Sequence, residues 1–203
     1  MSTKDKLFEA ALYLFSEKGY QATTIRDITS RTGLSPGSFY NHFTGKDELL
    51  QAVYDHYTQL YIQPQEPAPD YEQLLSQHDP RQLFRFLNKS YIDSMRNEQL
   101  LRLTKIILME QYTNPIAGGI AYQDRQRLLT SMEELFVHMQ KHGYIRVKDP
   151  EYSGRLLGYV YLGFASDIVY HLFLEKNNLD EIALQQNEII QRYLDEVLVN
   201  PSI

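Results

Sequence analysis

No cysteine occurs among the 203 residues, which excludes disulfides and thiol chemistry and points to a reducing cytoplasm as the place of action. No signal peptide or membrane-spanning run is legible. The longest apolar-rich stretch, residues 156–174, is interrupted by Gly158, Gly163, Ser166, Asp167 and His171, and reads as a buried helix. No segment alternates at period two, so no sheet is expected and the fold class is all-α. A glycine-rich phosphate loop, a Gly-x-Ser-x-Gly elbow and a complete metal motif are also missing, which leaves an enzyme as the least supported function, with no catalytic residue, cofactor or metal assigned.

The chain also lacks the basic excess usual in a nucleic-acid binder: its net charge is −6. The deficit lies downstream of residue 50. Before that point Lys4, Lys6, Lys18, Arg26, Arg31 and Lys46 balance Asp5, Glu9, Glu17, Asp27, Asp47 and Glu48.

What is present is a strongly punctuated N-terminal stretch, residues 23–46. Thr24 fits an N-cap with Asp27 as the acidic partner of a capping box, Ile25 and Ile28 form an apolar edge, and Gly33 supplies a turn. Ser35 is a second N-cap, Pro36 occupies the first helical position, and Leu34 and Phe39 stand at hydrophobic-staple positions. Phe39 and Phe43 share the buried side, so Ser38, Tyr40, Asn41 and His42 fall on or beside the open face. Thr44, with Asp47 three residues on, is expected to start the next helix. A short polar-faced helix pinned crosswise by its neighbours is the geometry that places side chains in a DNA major groove. That helix holds no Lys or Arg, so base reading would rest on hydroxyl, amide and imidazole groups and on close backbone approach at Gly37.

Around this stretch, residues 4–18 form an amphipathic helix closed by Gly19-Tyr20, and a longer helix runs from Lys46 to about Ile62. Pro64, Pro67 and Pro69 end it and open a connector to about Gln77, with at most one helical turn. Asp79-Pro80, Asn114-Pro115 and Asp149-Pro150 each put an N-cap before a proline. Helices are expected near 80–96, 98–112, 115–142, 150–176 and 180–198, about nine in total. His142-Gly143-Tyr144 repeats the first helix's stop signal, and Asn200-Pro201 closes the last helix.

From Lys4 to Leu50 the chain resembles the N-terminal domain of the tetracycline-repressor (TetR) family of transcriptional regulators. The likeness is carried by Ala10, Leu14, Phe15, Gly19, Tyr20, Thr23, Thr24, Ile28, Gly33, Ser35, Gly37, Tyr40, Phe43, Lys46 and Leu49. The resemblance implies a three-helix DNA-binding domain at 1–46 and an all-helical effector-binding and dimerisation domain at 47–203. Two copies of the helix at 35–42 would enter successive major grooves of a pseudo-palindromic operator in double-stranded DNA. Ser38 and Asn41 are candidates for base edges. Ser35, Tyr40 and His42 are assigned to phosphates or groove edges. Thr24, Arg26 and Lys46 would serve as phosphate clamps at helix starts. Many family members carry a basic residue where this chain has Pro36, which shifts weight to Gly37 and to DNA shape.

Downstream, the supply of polar-tipped aromatics and methionines suits a pocket for a small apolar or aromatic effector, with Tyr91, Met95, Met109, Tyr112, Tyr159, Asp167 and His171 as candidates. Gly154, Gly158, Tyr161, Ile189, Tyr193 and Val197 are candidates for a homodimer interface of the last two helices. His138 and His142 have the i, i+4 spacing of a metal pair, but a third ligand is lacking. The function expected is a ligand-responsive regulator, a repressor released from DNA by its effector. The alternative is a DNA-binding adaptor dimer without a small ligand.

Overall fold

The computed structural model describes residues 1–62, 70–173 and 178–199. Ten α-helices are present among them: α1 (Thr3–Lys18), α2 (Ile25–Thr32), α3 (Pro36–Tyr40), α4 (Lys46–Tyr57), α5 (Tyr71–Gln77), α6 (Pro80–Met95), α7 (Glu98–Glu110), α8 (Pro115–Lys141), α9 (Pro150–Phe173) and α10 (Leu179–Val197). A π-helical turn, Thr58–Ile62, extends α4. The described residues contain no strand; one antiparallel bridge pairs Ile145 with Leu198. The fold is all-α, as expected. Pro64, Pro67 and Pro69, the end of the helix expected to reach 176, and Asn200-Pro201 lie outside the described residues.

The helix beyond the expected nine is α5. Asp70 caps it by accepting from the Gln73 N–H at 2.9 Å, and the Tyr71 hydroxyl donates to the Ser131 carbonyl of α8 at 3.1 Å. Burial and the neighbouring Glu134 carboxylate push the Tyr71 phenol up to about 12. A side chain reaching 60 residues along the sequence thus fixes a helix too short to announce itself.

The three Asx-Pro starts are all built. Asp79 forms a full capping box with Gln82, Asn114 accepts from Ile116 N–H at 2.9 Å, and Asp149 accepts from Tyr152 N–H at 2.9 Å. One expected start is displaced. Gly45, not Thr44, precedes α4, with extended backbone and no side-chain cap. Thr44 instead donates both its N–H and its hydroxyl to the Glu48 carboxylate, at 2.6 and 2.8 Å. The extra residue moves the acidic partner from i+3 to i+4 and releases Asp47 for another contact.

The chain divides into two compact units, Met1–Gln65 with Asn97–Asp124, and Glu66–Arg96 with Arg125–Ile203. In the first, Leu7, Ala11 and Phe15 of α1 are buried, as are Ile28, Phe39, Leu49 and Val53. Leu103, Ile106 and Ile107 of α7 share that unit and are also buried. In the second, Leu83 and Phe84 pack with Leu135, Phe136 and Met139 of α8, Leu157 and Tyr161 of α9, and Ile190 and Leu194 of α10. Two polar contacts fix register there. Asn88 Nδ2 donates to Asn187 Oδ1 at 3.2 Å, and Gln186 Nε2 donates to the Phe164 carbonyl at 3.2 Å.

Candidate nucleic-acid interface

The turn before α3 is set by Gly33, whose φ of +69° carries the chain out of α2 in the left-handed region. Ser35 then caps α3, its Oγ accepting from the Ser38 N–H at 3.3 Å, with Pro36 at the first helical position. Phe39 is wholly buried and Phe43 nearly so, their rings 5.7 Å apart. Pinned by those two rings, α3 exposes Pro36, Gly37, Tyr40, Asn41 and His42. Tyr40 is 59% exposed, on the open face rather than in the core.

Two details depart from expectation. The helix ends at Tyr40, so Asn41 is its C-cap and His42 lies in the following turn. Ser38 is half-buried and its hydroxyl lies 3.1 Å from that of Ser35, so its hydrogen bonding is turned back into the cap. Asn41 is exposed, and its side-chain amide has no protein partner among the described residues.

At the start of α2, Thr24 and Asp27 form the expected capping box, and Lys18 Nζ donates to Asp27 Oδ2 at 2.8 Å. The Lys18 ammonium, followed by the Thr24 N–H and hydroxyl, holds the Asp27 carboxyl well below the usual carboxylate range. A depressed folded value means that this contribution to stability is complete above about pH 4 and is lost as pH falls through the folded value. We therefore expect Asp27 to stay ionised at pH 3 by carboxyl carbon NMR, and Asp27→Asn to lose the acid-limb dependence contributed by this site.

Lys46 does not stand free. Its Nζ donates to the carbonyls of Tyr20 and Thr23, both at 2.7 Å, and lies 4.1 Å from the centroid of the Tyr20 ring. The Tyr20 hydroxyl in turn donates to Asp47. Burial, then this hydrogen bond and the Asp47 charge, push the Tyr20 phenol far above its ordinary value. The first turn of α4 is thereby tied to the loop between α1 and α2. These two bonds take two of the three N–H groups of Lys46. Tyr20 was expected to close α1 and Asp47 to partner Thr44; their contact with each other, across 27 residues, carries no local signal.

The remaining cations are dispersed. Arg31 stacks 3.5 Å over the Tyr13 ring and Lys4 lies 5.5 Å from the Phe43 ring. Arg26 is exposed at the start of α2, with no ion pair among the described residues.

The residues assigned downstream are spread over α6, α7, the turn after α7, and α9. Tyr91 is half-buried and Met95 buried, both on α6; Tyr159 and Asp167 are exposed on α9, with His171 half-buried. Met109 and Tyr112 are exposed in the other unit, Tyr112 at 90%. The His171 imidazole lies 2.9 Å from the Asp167 carbonyl, so that pair is spanned through backbone. The imidazoles of His138 and His142 stack with centroids 4.3 Å apart. Burial, then the His142 charge, lower the His138 value. The described residues hold no group of three side chains able to ligate a metal.

Of the residues assigned to a dimer interface, four face inward. Gly154 and Gly158 sit against α8, where an added Cβ would lie 2.3 Å from the Met132 carbonyl oxygen and 2.8 Å from Leu129 Cδ2 respectively. Tyr161 is buried, its hydroxyl donating to the Phe84 carbonyl at 3.4 Å, and Val197 is in the same core. Ile189 is exposed and Tyr193 half-buried. The outward stripe of α9 is Tyr152, Leu156, Tyr159, Gly163 and Tyr170.

The fold and this module define a helix-turn-helix protein of the all-α class. Residues 7–53 match the family described as bacterial regulatory proteins, tetR family. The match is with transcriptional regulators rather than with enzymes. Over 54 residues the chain is 41% identical to the uncharacterized HTH-type transcriptional regulator YerO of Bacillus subtilis, a segment that is 27% of this chain but 19% of YerO. A longer match, 24% identical over 173 residues, covers 77% of this chain and 83% of the probable HTH-type transcriptional regulator YttP of the same organism. Among solved structures, the SmeT–triclosan complex superimposes with a TM-score of 0.64 at 20% identity, covering 99% of this chain and 94% of SmeT. SmeT is the repressor of a Stenotrophomonas maltophilia multidrug efflux pump. No helix among the described residues is long and apolar enough to cross a membrane.

Proposed function

We propose that the chain is a cytoplasmic transcriptional repressor that binds a pseudo-palindromic operator as a homodimer, with residues 1–46 reading DNA and residues 47–203 carrying effector and dimer contacts. One observation carries this reading. Helix α3 is locked by buried Phe39 and Phe43 while Gly37, Tyr40, Asn41 and His42 stand open on a module of the tetR family. With no cation on α3, discrimination rests on Asn41 at a base edge and on groove shape, while Arg26 and the third N–H of Lys46 meet phosphates. Exposed Leu156 and Tyr159 on α9 and Leu184 and Ile189 on α10 support a homodimer through the last two helices.

Release by a small apolar or aromatic molecule requires that it bind one conformation better than the other, and by linkage operator DNA weakens its binding equally. The triclosan complex of SmeT supports that class of effector. A second reading, an adaptor dimer without a small ligand, is favoured by the continuous buried apolar cluster of the second unit around Phe84, Phe136 and Tyr161.

The test is fluorescence anisotropy on DNA from upstream of the protein's own gene, over a salt series. Asn41→Ala should weaken binding by about tenfold or more, reflecting a lost bidentate pair. Arg26→Ala should reduce the salt slope of the dimer by about 2, one phosphate contact per protomer. Binding indifferent to both substitutions, from folded protein, would sink the reading. Effector libraries screened against the same complex separate the two versions, since the adaptor reading expects no small molecule to release the DNA.

A further inference from the structure

A concavity of about 520 Å³ opens in the first unit, away from the residues assigned to DNA. Lys6, Glu9 and Tyr13 of α1, Arg31 of α2, and Glu98 and Arg102 of α7 contribute to its wall. Both guanidiniums lie against the Tyr13 ring, Arg31 at 3.5 Å and Arg102 at 4.5 Å from its centroid. Their situations differ. Arg102 is largely buried and committed, donating to Ser16 Oγ at 3.1 Å, Glu17 at 3.3 Å and Glu98 at 2.5 Å. Arg31 is exposed, and among the described residues no carboxylate bonds it. Glu98 is occupied by Arg102, and Glu9 accepts only a long 3.5 Å hydrogen bond from Gln99. With Arg102 and Glu98 paired to each other, Lys6 and Arg31 face the single carboxylate of Glu9 on this wall.

A guanidinium already flattened on an aromatic ring has its donor fork fixed and loses little freedom on pairing with a carboxylate or phosphate. Arg31 also stands at the far end of α2 from Arg26, about 7.5 Å along the axis, so DNA contact at the helix start does not account for it. The volume lies in the range of small-molecule sites. We propose that this concavity binds a small organic oxyanion, a carboxylate or phosphate ester with a flat apolar body, held by the Arg31 fork and Lys6 with the body toward the wall at Ala10 and Leu12. Because the wall is shared by α1, α2 and α7, an occupant bridges the helix-turn-helix to α7 inside one unit.

The test is isothermal titration of the full chain at constant ionic strength with citrate, phenyl phosphate and inorganic phosphate. Wild type is compared with Arg31→Gln and Arg31→Lys, each checked for folding by circular dichroism. Phenyl phosphate should bind with a Kd below about 1 mM, weakened at least tenfold by Arg31→Gln, and citrate, which lacks the flat body, should bind more weakly. Arg31→Lys, which keeps the charge but loses the fork, should fall between and stands as the variant to read if the glutamine protein fails to fold. No saturable heat from any probe, or affinity unchanged in both variants, overturns the site. Inorganic phosphate binding as tightly as phenyl phosphate overturns the apolar-body part. No DNA enters the measurement, so its failure leaves the DNA-reading proposal standing.

Discussion

Replacing Lys46 with methionine should destabilise the N-terminal unit by about 3 kcal/mol, the scale of two charge-assisted hydrogen bonds lost from a half-buried group. Methionine keeps the apolar stem against the Tyr20 ring, so the loss isolates the ammonium. The Thr23 carbonyl is left without its donor beside a side chain of zero exposure, whereas the Tyr20 carbonyl still receives the Thr23 N–H at 3.1 Å. Denaturant unfolding of wild type and variant measures the effect. A lysine serving only as a phosphate clamp gives a different pattern: unchanged stability and a reduced salt slope of DNA binding. The geometry expects the reverse emphasis, with stability falling markedly and the slope changing less than in Arg26→Ala. A variant as stable as wild type would refute the internal role of Lys46.

The same residue shows where sequence reasoning stopped. Four features of α3 that depend on neighbours within four positions were legible: the Ser35 cap, Pro36 at the first position, the buried Phe39/Phe43 pair and the open Tyr40. So were the three Asx-Pro helix starts, because a cap is a local hydrogen bond with a local spelling. Contacts that close over long separations had no such spelling. Lys46 reaches carbonyls 23 and 26 residues back, and Tyr20 finds Asp47 only because Gly45 hands the cap of α4 to Thr44 and Glu48. The Ser35–Ser38 hydroxyl contact lay within reach of the sequence, three residues apart at a helix start, yet a serine there suits capping and base reading equally. For the downstream residues the difficulty is of another kind. A tyrosine or methionine at helical spacing is apolar on a core face and on a pocket face alike, and only the packed neighbours separate Tyr161, deep in the core, from Tyr159, half in solvent.

Glycines on α9 yield to the same reasoning and give the second large expectation. Gly154 and Gly158, four apart, have the spacing of a close helix–helix contact, and sequence alone leaves open whether the partner helix belongs to the same chain. At Gly154 an alanine Cβ meets backbone: 2.3 Å from the Met132 carbonyl oxygen, 2.8 Å from its carbon and 2.9 Å from Glu133 Cα. Neither helix can yield by rotating a side chain, so Gly154→Ala should force α8 and α9 apart at a cost of about 3 kcal/mol. At Gly158 the near atom is Leu129 Cδ2 at 2.8 Å, the end of a flexible side chain that can change rotamer, and Gly158→Ala should cost about 1 kcal/mol. At Gly163 no atom of the chain lies within 4 Å, and alanine should gain up to about 1 kcal/mol of helix propensity in the protomer. Thermal unfolding of the three variants should therefore rank 154 below 158 below 163. Sedimentation equilibrium supplies the other half of the argument. If α9 pairs with a second copy through its outward stripe, only Gly163→Ala alters association at matched stability, and the two inward glycines act on the fold alone. An equal penalty at all three positions would place Gly154 and Gly158 between subunits and refute their packing on α8.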